Sequence, residues 1–119
     1  MGLLRSLMRN WADTDDGVHA DVRPVELRLN VGEALKEIAA IIDKMPRWRV
    51  ENVGETTIAA TRSTRLARFV DDISLRLEST PEGCRLHARS KSRVGKGDFG
   101  QNRRNLRELF RALQQSSPA

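Results

Sequence analysis

The stretch Phe69-Val70-Asp71-Asp72-Ile73-Ser74-Leu75-Arg76-Leu77-Glu78-Ser79-Thr80-Pro81-Glu82-Gly83-Cys84-Arg85-Leu86-His87-Ala88-Arg89-Ser90-Lys91-Ser92-Arg93-Val94 decides the fold. Before the turn, Phe69, Asp71, Ile73, Leu75 and Leu77 share one phase. After it, Cys84, Leu86, Ala88, Ser90, Ser92 and Val94 share another. A period of two marks half-buried strands. Between them Thr80-Pro81-Glu82-Gly83 is a turn, with proline fixing φ and glycine open to positive φ. The result is an antiparallel hairpin. Only one parity of register puts both apolar sets on the same face. A four-residue loop then sets Glu78 opposite Arg85, Arg76 opposite His87, Ser74 opposite Arg89 and Asp72 opposite Lys91. On the apolar face Asp71 falls opposite Ser92, and Ile73 opposite Ser90.

Working outward, Thr56, Ile58 and Ala60 give the inner face of the preceding strand, and Trp48 and Val50 that of the one before. Asn52–Glu55 joins them as a turn, and 63–67 is a short polar connection. Val25, Leu27 and Leu29 alternate with Glu26 and Arg28 as a first strand, whose Pro24 suits an edge or strand start. Asn30 and Glu33 have capping-box spacing. They open a helix with Val31, Leu35, Ile38, Ala39, Ile42 and Met45 on its apolar face, stopped by Pro46. Asp98 and Gln101 have the same spacing before a last helix, whose core face is Leu106, Leu109, Phe110 and Leu113. The expected order is β-α-β-β-β-β-α. This is an α+β domain with a five-stranded antiparallel sheet and two helices on one face. Its architecture resembles TATA-binding-protein-like folds, a likeness that carries no function. Residues 1–16 read as an amphipathic helical segment (Leu4, Leu7, Met8, Trp11) and acidic linker, 17–114 as the domain, and 115–119 as a frayed tail.

At 119 residues the chain is one domain, and no run approaches a membrane span. Residues 1–11 offer at most weak contact with a membrane surface. A single cysteine excludes an internal disulfide and fits a reducing, cytoplasmic setting. Arginine outnumbers lysine 17 to 4, a bias of GC-rich genomes that suits a bacterial source. The net charge of +5 is uneven. From Arg85 to Arg111 nine basic residues stand against Asp98 and Glu108, so this segment carries about +7 and the remainder about −2. Asp13, Asp15, Asp16 and Asp21 gather in the early loop. On the outward face Arg85, His87, Arg89, Lys91 and Arg93 form a basic row, answered in part by Glu78 and Asp72.

Asp71, Ser90 and Ser92 point toward the helix-covered side, where buried polar groups must be hydrogen-bonded. They either satisfy the start of the last helix or line a polar pocket. Gly95-Lys96-Gly97-Asp98-Phe99-Gly100 has G-x-G-x-x-G spacing. However, the dinucleotide-binding reading fails for want of a parallel strand and of a downstream acidic residue. A glycine-rich basic loop at a helix start can still bind an anion through backbone N–H groups. No metal-ligand spacing or cofactor motif is present; Asp71 or Asp72 as base with Ser90 or Ser92 as nucleophile is an enzymatic alternative, less favoured than binding because no histidine is placed to complete the relay.

The strings Phe69-Val70-Asp71-Asp72-Ile73 and Arg89-Ser90-Lys91-Ser92-Arg93-Val94-Gly95-Lys96-Gly97-Asp98-Phe99-Gly100-Gln101-Asn102 resemble the domain of unknown function 1499 family. Its pattern is F-x-D-D-[VI] followed by R-S-x-S-R-x-G-x-x-D-x-G-x-N. The likeness is expected from about His19 to Leu113 and implies no activity. The candidate binding residues are Asp71, Asp72, Arg89, Ser90, Ser92, Arg93, Gly95, Gly97, Asp98 and Asn102, with no cofactor and no metal. The preferred reading is a module that binds an anionic ligand or acidic protein partner at this strand-loop-helix corner. Alternatives are contact with a nucleic-acid backbone by the basic sheet face, or a corner that only locks strand to helix. All aromatics are expected off the open face, which argues against base stacking.

Overall fold

The computed structural model of the protein describes residues 10–64, 69–94 and 100–116. Among the described residues six strands and two helices follow one another: β1 (Trp11–Asp13), β2 (Val25–Leu27), α1 (Val31–Lys44), β3 (Trp48–Val53), β4 (Thr57–Ser63), β5 (Val70–Thr80), β6 (Gly83–Ser92) and α2 (Gln101–Ser116). The sheet is antiparallel, in the order β1-β6-β5-β4-β3. β2 also pairs with β6.

The hairpin has the register that side-chain parity demands. Glu78 lies opposite Arg85, Ser74 opposite Arg89, Asp72 opposite Lys91, and Asp71 opposite Ser92. The expected four-residue loop tightens to two residues, Pro81 and Glu82, because Thr80 and Gly83 also pair. A Cβ on Gly83 would lie 2.0 Å from the Leu27 carbonyl oxygen. Glycine is therefore needed where β2 leaves the edge of β6. Phe69 and Val94, expected on the inner face, are instead largely exposed beyond the strand ends. Thr56 is likewise exposed.

The five-stranded expectation is corrected to six. Trp11, read on a helical stripe, begins a strand, and Trp11–Asp13 pairs with Arg89–Lys91. β1 and β2 thus share one edge of β6, and its His87–Ala88 level lies between them. There Thr14 continues the edge. Its N–H donates to Ala88 O, and its hydroxyl accepts from Ala88 N, each at 2.9 Å.

The first capping box is present as expected. Asn30 accepts from the Glu33 N–H at 2.8 Å, and Glu33 accepts from the Asn30 N–H at 3.1 Å. The expected Asp98–Gln101 box, the Gly95–Gly97 loop, most of the first segment and part of the 63–67 connection lie outside the described residues. The last helix runs on to Ser116. One core joins both helices to the sheet: Ile38 and Ile42 from α1, Leu106 and Leu109 from α2, and Ile58, Ile73, Leu75, Leu77, Leu86 and Ala88 from the strands. The helices therefore cover one face and leave the other open.

A partly buried side-chain tie crosses this interface. Glu108 Oε1 accepts from Trp48 Nε1 at 2.6 Å and from Arg62 Nε at 2.8 Å. Burial works against the Glu108 charge, but these two donors outweigh it and hold the carboxyl below its usual range.

Candidate functional site

The two faces of β5–β6 carry different chemistry at the same end of the hairpin. On the covered face, Asp71, Ser90, Asn102 and Asn105 are all buried. Asn105 Nδ2 donates to Asp71 Oδ2 at 2.7 Å and to Ser90 Oγ at 3.1 Å. Ser90 Oγ donates to Asn102 Oδ1 at 2.6 Å. Asn102 Nδ2 donates to Ser92 Oγ at 2.8 Å and to the Asn10 carbonyl at 2.9 Å. Gln101 Nε2 closes the chain on Asn105 Oδ1 at 2.7 Å. Both amide protons and the carbonyl oxygen of each asparagine are engaged. The network joins β5, β6, α2 and the approach to β1, and it is saturated rather than open. Asn105 was not among the expected residues. Its signal is its place beside Leu106 and Leu109 on the buried stripe of α2, three residues after Asn102.

On the open face, Asp72 takes Arg93 in a two-pronged ion pair, with Arg93 Nη2 to Oδ1 at 2.9 Å and Nε to Oδ2 at 3.0 Å. About half of each side chain is exposed. Arg85 pairs with Glu26 and Glu78. His87 lies between two carboxylates, Nδ1 to Asp15 Oδ1 and Nε2 to Glu78 Oε1, both at 2.8 Å. Ionised carboxylates only accept, so this geometry favours the doubly protonated, cationic ring. Partial burial opposes that charge, but the two carboxylates outweigh it and raise the His87 pKa. The same bonds lower Asp15 and Glu78.

The acidic loop and the basic C-terminal segment are therefore partners of each other. Asp15 answers His87 and Arg76 on the open side. On α2, Asp21 answers Arg103 through two hydrogen bonds and Arg107 at 3.2 Å. The expected shortfall of acid along the β6 row is smaller than the sequence implied. Arg89 and Lys91 keep no carboxylate partner among the described residues. Trp11, 38% exposed, stands beside Lys91 in register. The expectation that no aromatic reaches the open face is thereby corrected.

Grooves among the described residues include two of note. One of about 420 Å³ lies on the open face over Asp13, Ala59, Ser74, Arg76, His87 and Arg89. The other, of about 470 Å³, runs between Met45–Pro46 and the Arg104, Arg107 and Arg111 side of α2. Among the described residues no cluster of histidine, cysteine and carboxylates could hold a metal ion. No described helix is long and apolar enough to cross a membrane. Cys84 is fully buried, and burial pushes its thiol up, away from the reactive thiolate. Of the expected binding residues, Asp71, Ser90, Ser92 and Asn102 come together inside. Asp72, Arg89 and Arg93 stand outside, and Gly95, Gly97 and Asp98 lie outside the described residues.

Fold and corner together define a class: an α+β protein with an open antiparallel sheet under two helices, pinned at one end by a buried amide–carboxylate network. The chain belongs to the family described as Protein of unknown function (DUF1499), whose model matches residues 8–113. That match begins earlier than the likeness read from the sequence and takes in β1. No curated protein and no solved structure matched the chain in the same comparisons.

Proposed function

We propose that the protein is a non-catalytic binding module for an anionic group, held by the outward side of the strand-loop-helix corner. The observation that carries this reading is Arg89. It projects from a fixed strand on the open face and has no carboxylate partner among the described residues, whereas Arg85, His87 and Arg93 in the same row are each paired. A guanidinium on a rigid strand offers a planar fork suited to carboxylate or phosphate. Asp72 orients Arg93 further along the same face, and Lys91 stands between the two arginines as a second cation. In this reading Asp71, Ser90, Ser92 and Asn102 do not touch the ligand. With Asn105 they lock the strands to the helix, and their saturated hydrogen bonds support that role. The buried Cys84 is consistent with a reducing, cytoplasmic setting.

Titration calorimetry with inorganic phosphate and succinate tests the reading. Binding is expected for the wild type and at least tenfold weaker for Arg89→Ala. Equal binding by both would overturn it. A second reading, contact with a nucleic-acid backbone, is favoured by Trp11 beside Lys91 on the open face. Mobility shifts of single-stranded DNA at rising salt separate the two, since phosphate-backbone binding weakens steeply with salt.

A further inference from the structure

We infer that the open-face groove is a site for a small zwitterion of the amino-acid class, with Arg89 holding its carboxylate and Asp13 its ammonium group. The inference rests on the proposal that Arg89 binds an anionic group, and it adds the second half of the ligand.

A single cross-sheet row carries the argument. Asp13 on β1 pairs in register with Arg89 on β6, Arg89 with Ser74 on β5, and Ser74 with Ala59 on β4. Residues paired in this way project from the same face of a sheet. Asp13 and Arg89 are therefore direct cross-strand neighbours of opposite charge, yet no ion pair forms between them. Asp13 is turned toward its own chain, with Oδ1 accepting from the Asp15 N–H at 2.8 Å. Its Oδ2 has no hydrogen-bond partner among the described residues. A carboxylate and a guanidinium thus stand side by side, and among the described residues one carboxylate oxygen and the guanidinium have no ionic partner.

The rest of the row makes the space. Ser74 and Ala59 are small and exposed, so the floor sinks beside Arg89 and leaves the groove of about 420 Å³. Ser74 adds a hydroxyl that can donate or accept. The adjoining row is already neutralised, because His87 and Arg76 share Asp15, and His87 also takes Glu78. In the groove Arg76, His87 and Arg89 face Asp13 and Asp15, and Glu78, outside the lining, offsets His87 from its other side. A near-neutral groove with one open charge of each sign favours a zwitterion over a polyanion.

The test compares three probes of one size, L-alanine, propionate and isopropylamine, by chemical-shift titration of ¹⁵N-labelled full-length protein. L-Alanine is expected to move the Arg89 Nε–H and the Asp13 and Ser74 amides, and to bind at least tenfold more tightly than propionate. Asp13→Asn keeps an oxygen for the Asp15 N–H. It should abolish that tenfold preference while leaving propionate binding intact. Arg89→Ala should abolish both. Ser74→Phe, which fills the floor, should block L-alanine without changing the rest of the spectrum. Equal affinity for L-alanine and propionate, both lost in Arg89→Ala, overturns the zwitterion site and leaves the anion reading standing. Loss of neither probe's binding in Arg89→Ala overturns both.

Discussion

The two faces of the β5–β6 hairpin begin from the same strands and end in opposite chemistry. Inside, Asp71, Ser90, Asn102 and Asn105 are buried and spend their hydrogen-bonding capacity on one another. Outside, Asp72, Arg89, Lys91 and Arg93 alternate with them, exposed and only partly paired. A difference of one residue in phase moves a side chain from a dry, low-dielectric site to water. There an ion pair contributes little, and a charge stays available for a ligand. The family motif thus divides by parity into residues that hold the corner and residues that can meet something.

The sharpest way to break this contrast is on the inside. Asn105→Ala strips the donor from the buried Asp71 carboxylate and from Ser90, at a cost of about 3 kcal/mol in urea unfolding. Replacing both partners, Asp71→Leu with Asn105→Leu, should recover most of that loss, since no buried charge is then left unpaired. Gly83→Ala comes next. Its Cβ would meet the Leu27 carbonyl, and a loss of about 2 kcal/mol is expected, with the pairing of β2 to β6 disturbed.

The His87 clasp lies between the extremes, and its signature is pH dependence. His87 has a raised pKa, so its contribution is complete below the ordinary imidazole value of about 6.5 and is lost as pH rises through the higher folded value. Asp15 and Glu78 are lowered, so theirs is present above the ordinary carboxylate range and is lost as pH falls through their folded values. The stability gap between wild type and His87→Gln should therefore peak in mildly acidic solution and close on both sides. A gap independent of pH would remove the clasp. The smallest effect belongs to the outside pair: Asp72→Ala should leave the urea midpoint unchanged within error, because both partners are half exposed.

How far the sequence alone reaches follows the same physics. The hairpin register is legible because parity admits few alternatives once Leu75, Leu77, Leu86 and Ala88 must share a face. The first helix is legible from Asn30, Glu33 and its apolar stripe. β1 is not. Trp11 fits a helical period with Leu4, Leu7 and Met8, and three residues are too few to show alternation. Its strand state comes from the free edge of β6, a tertiary fact. Asn105 is legible in principle, since an asparagine on a buried stripe must find partners. The links from Asp15 to His87 and from Asp21 to Arg103 are not, because charge totals show attraction between segments but not which groups meet.

The central claim is that the inner face locks and the outer face binds. It is tested most directly in one ¹⁵N–¹H spectrum followed during titration with inorganic phosphate, in which the Arg89 Nε–H and the side-chain amides of Asn102 and Asn105 report separately. Arg89 should move in a saturable way while both asparagine amides stay fixed. Movement centred on Asn102 and Asn105, with Arg89 unmoved, would contradict it.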